Sequence, residues 1–355
     1  MSKKVLMKGN EVIAEAAIRA GCRYYFGYPI TPQTEIAHYM AKRMPESGGV
    51  FLQAESEIAA INMVYGAAST GARVMTSSSS PGISLKQEGF SYLAGAELPC
   101  VVVNIVRCGP GLGGILPAQS DYFQTVKGGG HGDYKMVAFA PESVQELYEL
   151  TVEAFNVADR YRITVMVQGD GILGQMMEAV EFQDQEKIEL PEKPWATTGT
   201  EMKRPHNVIT SIYIDPEVLE QHNLKLQAKY RLIEDCEVKV EEFNCEGAEL
   251  ILVAYGSVAR IAKSVIKLAE KEGIKVGLIR PITLWPYPSK VFDKYVDQVH
   301  SFLTVELSAG QMVEDVRLAV NGRKPVHFYG RMGGMVPTNQ EIIAKIKEIL
   351  GGVAK

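Results

Sequence analysis

The 355-residue sequence lacks paired cysteines, long apolar runs and basic clusters, and each absence excludes a class of protein. Its five cysteines form no Cys-x-x-Cys pair, which excludes a zinc ribbon or a ferredoxin-type cluster held by this chain alone. No run of about 18 apolar residues marks a membrane span, and residues 1–10 lack the apolar core of a secretory signal. No basic run exceeds two residues, and the formal charge of −5 argues against nucleic acid as the main partner. We therefore expect a cytoplasmic protein.

Segments typical of strands and helices alternate along the first half of the chain. Residues 100–107 and 163–168 are apolar on both faces, which is typical of buried parallel strands. A helix is predicted over residues 11–20, with Asn10 as its N-cap and Gly21 as its C′ residue. The other predicted elements here are strands near 22–27 and 72–77 and helices near 57–70, 83–95 and 142–160. This alternation predicts βαβ units and a parallel sheet.

The pattern changes twice in the second half, so that three regions are predicted in all. Prolines and dense charge interrupt residues 183–243, where only 217–232 has a helical pattern. A second α/β domain follows, with strands predicted near 249–255, 275–279, 301–306 and 324–328 and helices near 258–272, 309–320 and 338–350. We predict a first domain over residues 1–185, a linker or arm over 186–243, and a second domain over 244–355.

Two glycine motifs suggest phosphate binding, and both are incomplete. GPGLGG at 109–114 matches the dinucleotide fingerprint, but Pro117 interrupts the helix that should follow. In addition, no acidic residue ends a second strand about 20 residues later. QGDGILGQ at 168–175 resembles the Gly-Asp-Gly of thiamin diphosphate enzymes, in which the Asp and a later Asn hold Mg²⁺. Here the next asparagine, Asn207, comes too late, so this chain is not expected to bind the diphosphate end.

The segment GYPITPQTEI (27–36) joins a predicted strand to a helix through two prolines. Proline fixes φ and keeps the preceding residue extended, so the turn is stiff and presents the Thr31 hydroxyl at the carboxyl end of the strand. Ligands of open α/β sheets bind at that edge, although a rigid connection with Thr31 as a helix cap is the alternative. Arg107 ends a strand at the same edge, where its guanidinium suits a carboxylate ligand or a neighbouring acid.

Acidic, hydroxyl and glycine-rich segments supply three further candidates. Glu55 and Glu57 begin a helix of small and apolar residues, either as complements of the helix dipole or, if buried, as groups that need a partner. The segment TSSSSPG (76–82) places four serines before a helix, either as an N-cap with neighbours or as hydroxyls facing a ligand. The loop KGGGHGDY (127–134) can act as a mobile lid, and its His131 is either a catalytic residue or an exposed or structural one.

Five segments together resemble one enzyme family over most of the chain. They are GYPITPQTEI, QAESEIAAINMVYGA, TSSSSPGISLKQEG, AGAELPCVVVNIVR and LIRPITLWPYP…YGRMGGMVPTNQEI. The sequence resembles the α subunit of 2-oxoacid:ferredoxin oxidoreductases, and residues 109–134 are most similar to the 2-oxoisovalerate (3-methyl-2-oxobutanoate) branch. The resemblance implies an α/β chain of the thiamin diphosphate-binding fold. A parallel-sheet domain of pyrimidine type would be followed by an α/β domain like the transketolase C-terminal domain.

The resemblance also implies roles for individual residues. Glu57 matches the glutamate that hydrogen-bonds N1′ of the aminopyrimidine of thiamin diphosphate, and Pro29 and Ile30 match cofactor-binding positions. Thr31 and Arg107 match the residues that hold the substrate carboxylate. No metal ligand is expected in this chain, because a separate β subunit holds the diphosphate and Mg²⁺ in this family. Iron–sulfur clusters are expected on partner subunits only.

The implied reaction is the oxidative decarboxylation of a branched 2-oxoacid to acyl-CoA and CO₂, with electrons passed to ferredoxin. The implied partners are a β subunit, a γ subunit, a ferredoxin-like δ subunit, ferredoxin and coenzyme A, with neither nucleic acid nor a membrane. The alternatives are a 2-oxoglutarate or indolepyruvate oxidoreductase subunit and a non-catalytic interaction subunit. Residues 108–126 contain no Lys or Arg, and they offer apolar side chains that suit an isopropyl group: Leu112, Ile115, Leu116 and Pro117.

Overall fold

A computed structural model describes residues 4–182 and 191–353 of the chain. In chain order its strands are β1 (Val5–Lys8), β2 (Tyr24–Gly27), β3 (Val50–Gln53), β4 (Val74–Ser78), β5 (Cys100–Val106), β6 (Val137–Phe139), β7 (Thr164–Asp170), β8 (Met177–Val180), β9 (Val240–Phe243), β10 (Leu250–Val253), β11 (Val276–Pro281), β12 (Thr283–Trp285), β13 (Ser301–Glu306) and β14 (Val326–Gly330).

The helices of the described residues connect these strands. They are α1 (Gly9–Arg19), α2 (Thr34–Glu46), α3 (Glu57–Ser69), α4 (Ser80–Gly95), α5 (Tyr122–Val126), α6 (Val144–Tyr161), α7 (Gly171–Gln175), α8 (Pro216–Cys236), α9 (Gly256–Lys271), α10 (Met312–Val320) and α11 (Asn339–Val353), with a 3₁₀ turn at Ser289–Lys294. No helix within this part of the chain is both long and apolar enough to cross a bilayer.

The first sheet positions the candidate site. Within the described residues it has seven strands in the order β12-β6-β7-β5-β4-β2-β3, and all neighbours are parallel except β12 and β6. Strands β5 and β7 are buried along their whole length, which confirms the prediction made from their continuous apolar runs. Because the strands are parallel, β2, β4, β5 and β7 all end at one edge of the sheet. The residues that follow Gly27, Ser78, Val106 and Asp170 therefore meet there.

The second sheet has the order β14-β13-β10-β11-β9, with β9 antiparallel to β11. Strand β9 lies at the end of the segment predicted as an arm, and β12 returns to the first sheet beside β6. The mixed α/β class and the long helix of the arm are confirmed. The domain boundaries after residues 185 and 243 stay predictions, and the first of them lies outside the described residues.

The start of α1 differs from its prediction. Asn10 is not an N-cap: the helix begins at Gly9, and the Asn10 side chain is fully buried. Its Nδ2 atom donates to the Pro32 carbonyl at 2.7 Å and to Glu35 Oε2 at 2.9 Å. Although asparagine locally favours a helix cap, the Asn10 side chain is therefore used as a hydrogen-bond donor to the turn after β2. Gly21 has φ +83° after the helix, as the C′ prediction requires.

Polar contacts join the two sheets close to this edge. Gln119 Nε2 donates to the Tyr255 carbonyl at 2.9 Å, and Gln119 Oε1 accepts from the Leu307 amide at 3.0 Å. On another side, the buried Arg280 guanidinium of β11 donates to Glu146 of α6 at 2.7 and 2.8 Å. These bonds hold loops of the second sheet beside the carboxyl edge of the first.

Candidate active site

Side chains from three parts of the fold form hydrogen bonds with the turn after β2. The Pro32 carbonyl accepts hydrogen bonds from Asn10 and from Gln175 Nε2, the latter at 3.2 Å. Gln33 is buried beneath the turn, and its Nε2 donates to the Tyr28 carbonyl at 3.4 Å. Thr31, on the same turn, is exposed to solvent. The sequence predicted a stiff turn from its prolines, and the structure adds the hydrogen bonds that fix its position.

Arg107 lies against this turn, so the structure brings together two residues predicted to share the sheet edge. Its guanidinium donates to the Thr31 carbonyl at 3.0 Å and to the Leu112 carbonyl at 3.1 Å. Its backbone amide donates to Ser80 Oγ at 3.0 Å, which ties the end of β5 to the first turn of α4. Within the described residues Arg107 forms no ion pair, and its buried Nε has no partner. The guanidinium therefore keeps a donor and an unneutralised charge for a ligand.

Glu57 is the first residue of α3, and its side chain is only 6% exposed, whereas Glu55 is exposed. Ser56 caps the helix by accepting from the Ala59 amide at 3.1 Å. Because this cap fixes the start of the helix, the side chain of the next residue, Glu57, points inward at the sheet edge. No side chain or amide of the described residues donates a hydrogen bond to the Glu57 carboxylate. The hydrogen-bond donor that a buried glutamate needs is therefore not supplied within residues 4–182 and 191–353.

Gly82 of α4 makes room for the Glu57 carboxylate. A Cβ atom at this position would lie 2.5 Å from Glu57 Oε1 and would collide with Ser78 Oγ. The two oxygens thus lie on either side of the missing side chain, where α4 and α3 approach closely. By contrast, a Cβ atom at Gly66 of α3 would meet nothing within 4 Å.

The serine row, residues 77–80 at the end of β4, contains two buried hydroxyls that have no hydrogen-bond partner among the described residues. Ser78 and Ser79 are fully buried, and neither hydroxyl has a hydrogen bond among the described residues. Helix α4 begins at Ser80 and receives no side-chain cap from Ser79. The N-cap interpretation therefore fails, and the alternative of hydroxyls facing a ligand is favoured, because buried polar groups are nearly always satisfied.

A cavity of about 380 Å³ opens between Arg107 and the loops of the second sheet. Its lining comes from the start of α4, from residues 108–111 and 118–121, and from residues 307–311 and 332–333. Arg107 is the one cation among these described residues, and Asp121 is the one anion. Burial raises the pKa of Asp121, and Asn104 Nδ2 donates to it at 2.9 Å. The cavity is therefore suited to a ligand with one carboxylate.

Lys86 is a charged residue of this region that the sequence did not single out. It is fully buried on α4, and its Nζ donates to the Ser77 carbonyl at 3.3 Å. Burial lowers the pKa of Lys86 to about 7, and the negative charge of Glu57 opposes that shift. The available signal was its spacing, one helical turn after Gly82 on the same face, but a lysine in an amphipathic helix is normally exposed.

The remaining motifs lie elsewhere or have other uses. Asp170 caps α7 by accepting from the Ile172 and Leu173 amides at 2.8 and 3.1 Å, and Ser257 Oγ also donates to it. Within the described residues no group of three His, Cys, Asp or Glu side chains could hold a metal ion. Turns follow GPGLGG, and the next helix begins only at Tyr122, so no dinucleotide-type helix follows the motif.

His131 lies beside the middle of α4. Its Nδ1 is 3.5 Å from Ser91 Oγ, and its ring meets Tyr92 edge to face. Ser91 and Tyr92 lie more than two helical turns after Ser80, which is the first residue of α4. The structure therefore does not bring His131 together with Glu57, and the structural interpretation is favoured over the catalytic one.

The fold and this site define a class of protein: two-domain α/β chains of the thiamin diphosphate-binding type. A solved structure titled split gene transketolase, inactive beta4 tetramer, shares the fold with a TM-score of 0.61 over 99% of both chains at 13% identity. The profile for pyruvate flavodoxin/ferredoxin oxidoreductase, thiamine diphosphate-binding, matches residues 15–242, and that for core domain II of pyruvate:ferredoxin oxidoreductase matches 248–342. The chain belongs to the 2-oxoacid:ferredoxin oxidoreductase family.

Individual relatives differ in the substrate that their names carry. The ketoisovalerate oxidoreductase subunit VorB of Methanothermobacter marburgensis is 50% identical over 98% of both chains. The 2-oxoglutarate synthase subunit KorA of Archaeoglobus fulgidus is 40% identical over 92% of this chain and 95% of its own. A solved 2-oxoglutarate:ferredoxin oxidoreductase from Magnetococcus marinus superposes with a TM-score of 0.89 at 28% identity. That match covers 98% of this chain and 66% of the solved one.

The space at Gly82 gives a direct test of the site geometry. Gly82→Ala should destabilise the chain by about 1–3 kcal/mol, because the new methyl group would overlap Ser78 and Glu57. Gly66→Ala is the matched control, since it places the same methyl group in open space on a neighbouring helix and should stabilise by about 0.5–1 kcal/mol. Denaturant unfolding measures both. Equal effects of the two substitutions would contradict the packing described here.

Proposed function

We propose that this chain supplies the pyrimidine-facing half of the active site in a branched-chain 2-oxoacid:ferredoxin oxidoreductase. The observation that carries the proposal is the buried Glu57 carboxylate, which has no hydrogen-bond donor among the described residues and packs against the backbone of Gly82. An aminopyrimidine ring that carries a proton on N1′ supplies the donor that such a carboxylate needs. The family profile, which describes a thiamin diphosphate-binding domain, supports the same assignment.

Thiamin diphosphate, when bound, supplies the carbanion-stabilising chemistry that decarboxylation of a 2-oxoacid requires. The residues present fit its pyrimidine end, because the unpartnered hydroxyl of Ser78 lies beside the Glu57 carboxylate. Glu57 would accept a hydrogen bond from protonated N1′ and so stabilise the form of the ring that carries that proton. Pro29 and Ile30 would contact the cofactor from the turn after β2, which its buried hydrogen bonds hold rigid.

The other half of the site would come from a β subunit. Asp170 of the Gly-Asp-Gly motif is occupied by two amides and Ser257, so its carboxylate serves the fold rather than Mg²⁺. Apolar side chains that are 51–81% exposed surround the sheet edge, namely Ile58, Leu112, Ile115 and Leu116. Such a surface is typical of a protein interface, and a partner covering it would also enclose the cofactor. A γ subunit and a ferredoxin-like δ subunit with the iron–sulfur clusters would complete the enzyme, which passes electrons to ferredoxin.

The substrate proposed is a branched 2-oxoacid with one carboxylate, such as 3-methyl-2-oxobutanoate. Arg107 and Thr31 would hold that carboxylate, which orients the bond to be broken, and coenzyme A would accept the acyl group. A second carboxylate would find no second cation in the adjoining cavity, where Asp121 would repel it. The higher identity to VorB than to KorA supports the same choice. Leu112 and Ile115 are exposed here, so they would line an apolar pocket only beneath the partner subunit.

Glu57→Gln tests the cofactor assignment in the assembled complex. Exchange of the C2 proton of thiamin diphosphate should slow by about 10²–10⁴-fold, which is the usual range for loss of an acid–base group. Glu55→Gln is the matched control, because Glu55 is an exposed glutamate two residues away and should leave exchange unchanged. Normal exchange in the Glu57 variant would refute the role and favour a non-catalytic interaction subunit.

The substrate assignment is tested by kcat/KM of the assembled complex with excess electron acceptor. 3-Methyl-2-oxobutanoate should be preferred to 2-oxoglutarate, because only one cation faces the cavity. 2-Oxobutanoate should also react, but less well, because the loss of one methylene weakens binding in a pocket by only about 1–3 kcal/mol. A preference for 2-oxoglutarate would overturn the branched-chain assignment while leaving the family membership intact.

A further inference from the structure

Lys86 is the one lysine that is fully buried among the described residues, and the chemistry proposed above does not use it. An ammonium group loses most of its hydration when it is buried, so it is retained only where a charge or several acceptors compensate. The one hydrogen bond of Lys86 goes to the Ser77 carbonyl at 3.3 Å. One long hydrogen bond is weak compensation, so the surroundings must supply a counter-charge.

Glu57 is in the right place to be that counter-charge. Gly82 and Lys86 are four residues apart on α4 and therefore share one face of the helix. Gly82 contacts the Glu57 carboxylate, so the same face of α4 presents Lys86 to the region around Glu57. Both charged groups also adjoin the end of β4, Lys86 through the Ser77 carbonyl and Glu57 through Ser78.

The described side chains that hydrogen-bond Ser77, whose carbonyl Lys86 also contacts, carry no charge that competes. From β2, the Tyr25 hydroxyl shares a hydrogen bond of 2.6 Å with Ser77 Oγ, and burial raises the pKa of Tyr25, so it stays neutral. From the turn before α2, the neutral Gln33 side chain accepts from Ser77 Oγ at 2.6 Å. From α3, the charge that acts on Lys86 is that of Glu57.

We propose that Lys86 is a positioning residue that acts through Glu57. Its buried ammonium supplies a counter-charge to the Glu57 carboxylate, and its bond to the Ser77 carbonyl fixes the end of β4 beneath the cofactor's pyrimidine. The inference rests on the proposed function, because it assigns Lys86 a part in preparing Glu57 for the cofactor. A neutral side chain in its place would leave Glu57 buried without that counter-charge.

The first test uses the stability of the full chain and does not depend on cofactor or activity. The pKa of Lys86 is about 7 in the folded chain, below its ordinary value of 10.5, so the unfolded chain binds more protons between these values. The free energy of unfolding of the native chain should therefore rise with pH above about 7, relative to Lys86→Met. The unfolding equilibrium constant should change by at most about tenfold per pH unit. A pH-independent difference between the two chains would show that Lys86 is not a buried titrating ammonium and would overturn the proposal.

The second test follows C2 proton exchange of thiamin diphosphate against pH in the assembled complex. Below about pH 7, where the native ammonium is charged, Lys86→Met should slow exchange at least tenfold, whereas Lys86→Arg keeps the charge and should stay closer to native. The deficit of Lys86→Met should shrink as the native Lys86 loses its proton above that pH. A purely structural role would lower the rate equally at every pH, and this would refute the proposal. If Glu57→Gln slows exchange but Lys86→Met does not, the inference fails and the proposed function stands. If Glu57→Gln has no effect, the proposed function itself fails.

Discussion

A carboxylate buried without a hydrogen-bond donor from the described part of its chain is the constraint on which this structure depends. An isolated buried charge is strongly unfavourable, so the surroundings of Glu57 must tolerate it until a ligand arrives. Gly82 provides the space, and the end of β4 provides hydroxyls that have no other partner. The parallel sheet explains the location, because its strand ends gather the turn after β2, the serine row and Arg107 at one edge.

The rigidity of this edge comes from hydrogen bonds beneath it. Asn10 and Gln175 hold the Pro32 carbonyl, while Gln33 links the turn to Ser77. On the other side, Gln119 fastens the loop after β5 to the second sheet. Residues of the turn after β2 that would touch cofactor and substrate thus lie on backbone that cannot shift freely, which is the arrangement that orientation of a reacting bond requires.

Much of this could be predicted from sequence because the relevant signals are local. The apolar runs of β5 and β7 identified buried parallel strands, and the proline turn and the helix start at Glu57 marked two candidate segments, whose roles followed only from the family resemblance. What could not be predicted depends on tertiary contact. Asn10 has the local pattern of a cap, yet it serves a carbonyl 22 residues away. Lys86 has the pattern of a surface lysine, and only the packing of α4 on α3 buries it. Strand β12 joins a sheet built from residues more than 100 positions earlier, which no periodicity reveals.

The central claim is that this chain presents Glu57 to the pyrimidine of a cofactor whose diphosphate another chain holds. The measurement that tests it most directly is a structure of the assembled complex with thiamin diphosphate and Mg²⁺ bound. The account predicts Glu57 Oε1 or Oε2 within hydrogen-bond distance of pyrimidine N1′, about 2.7–3.2 Å, with Asp170 still bonded to Ser257 and Mg²⁺ held by the partner chain. A cofactor bound elsewhere, or a Mg²⁺ ion on Asp170, would contradict it.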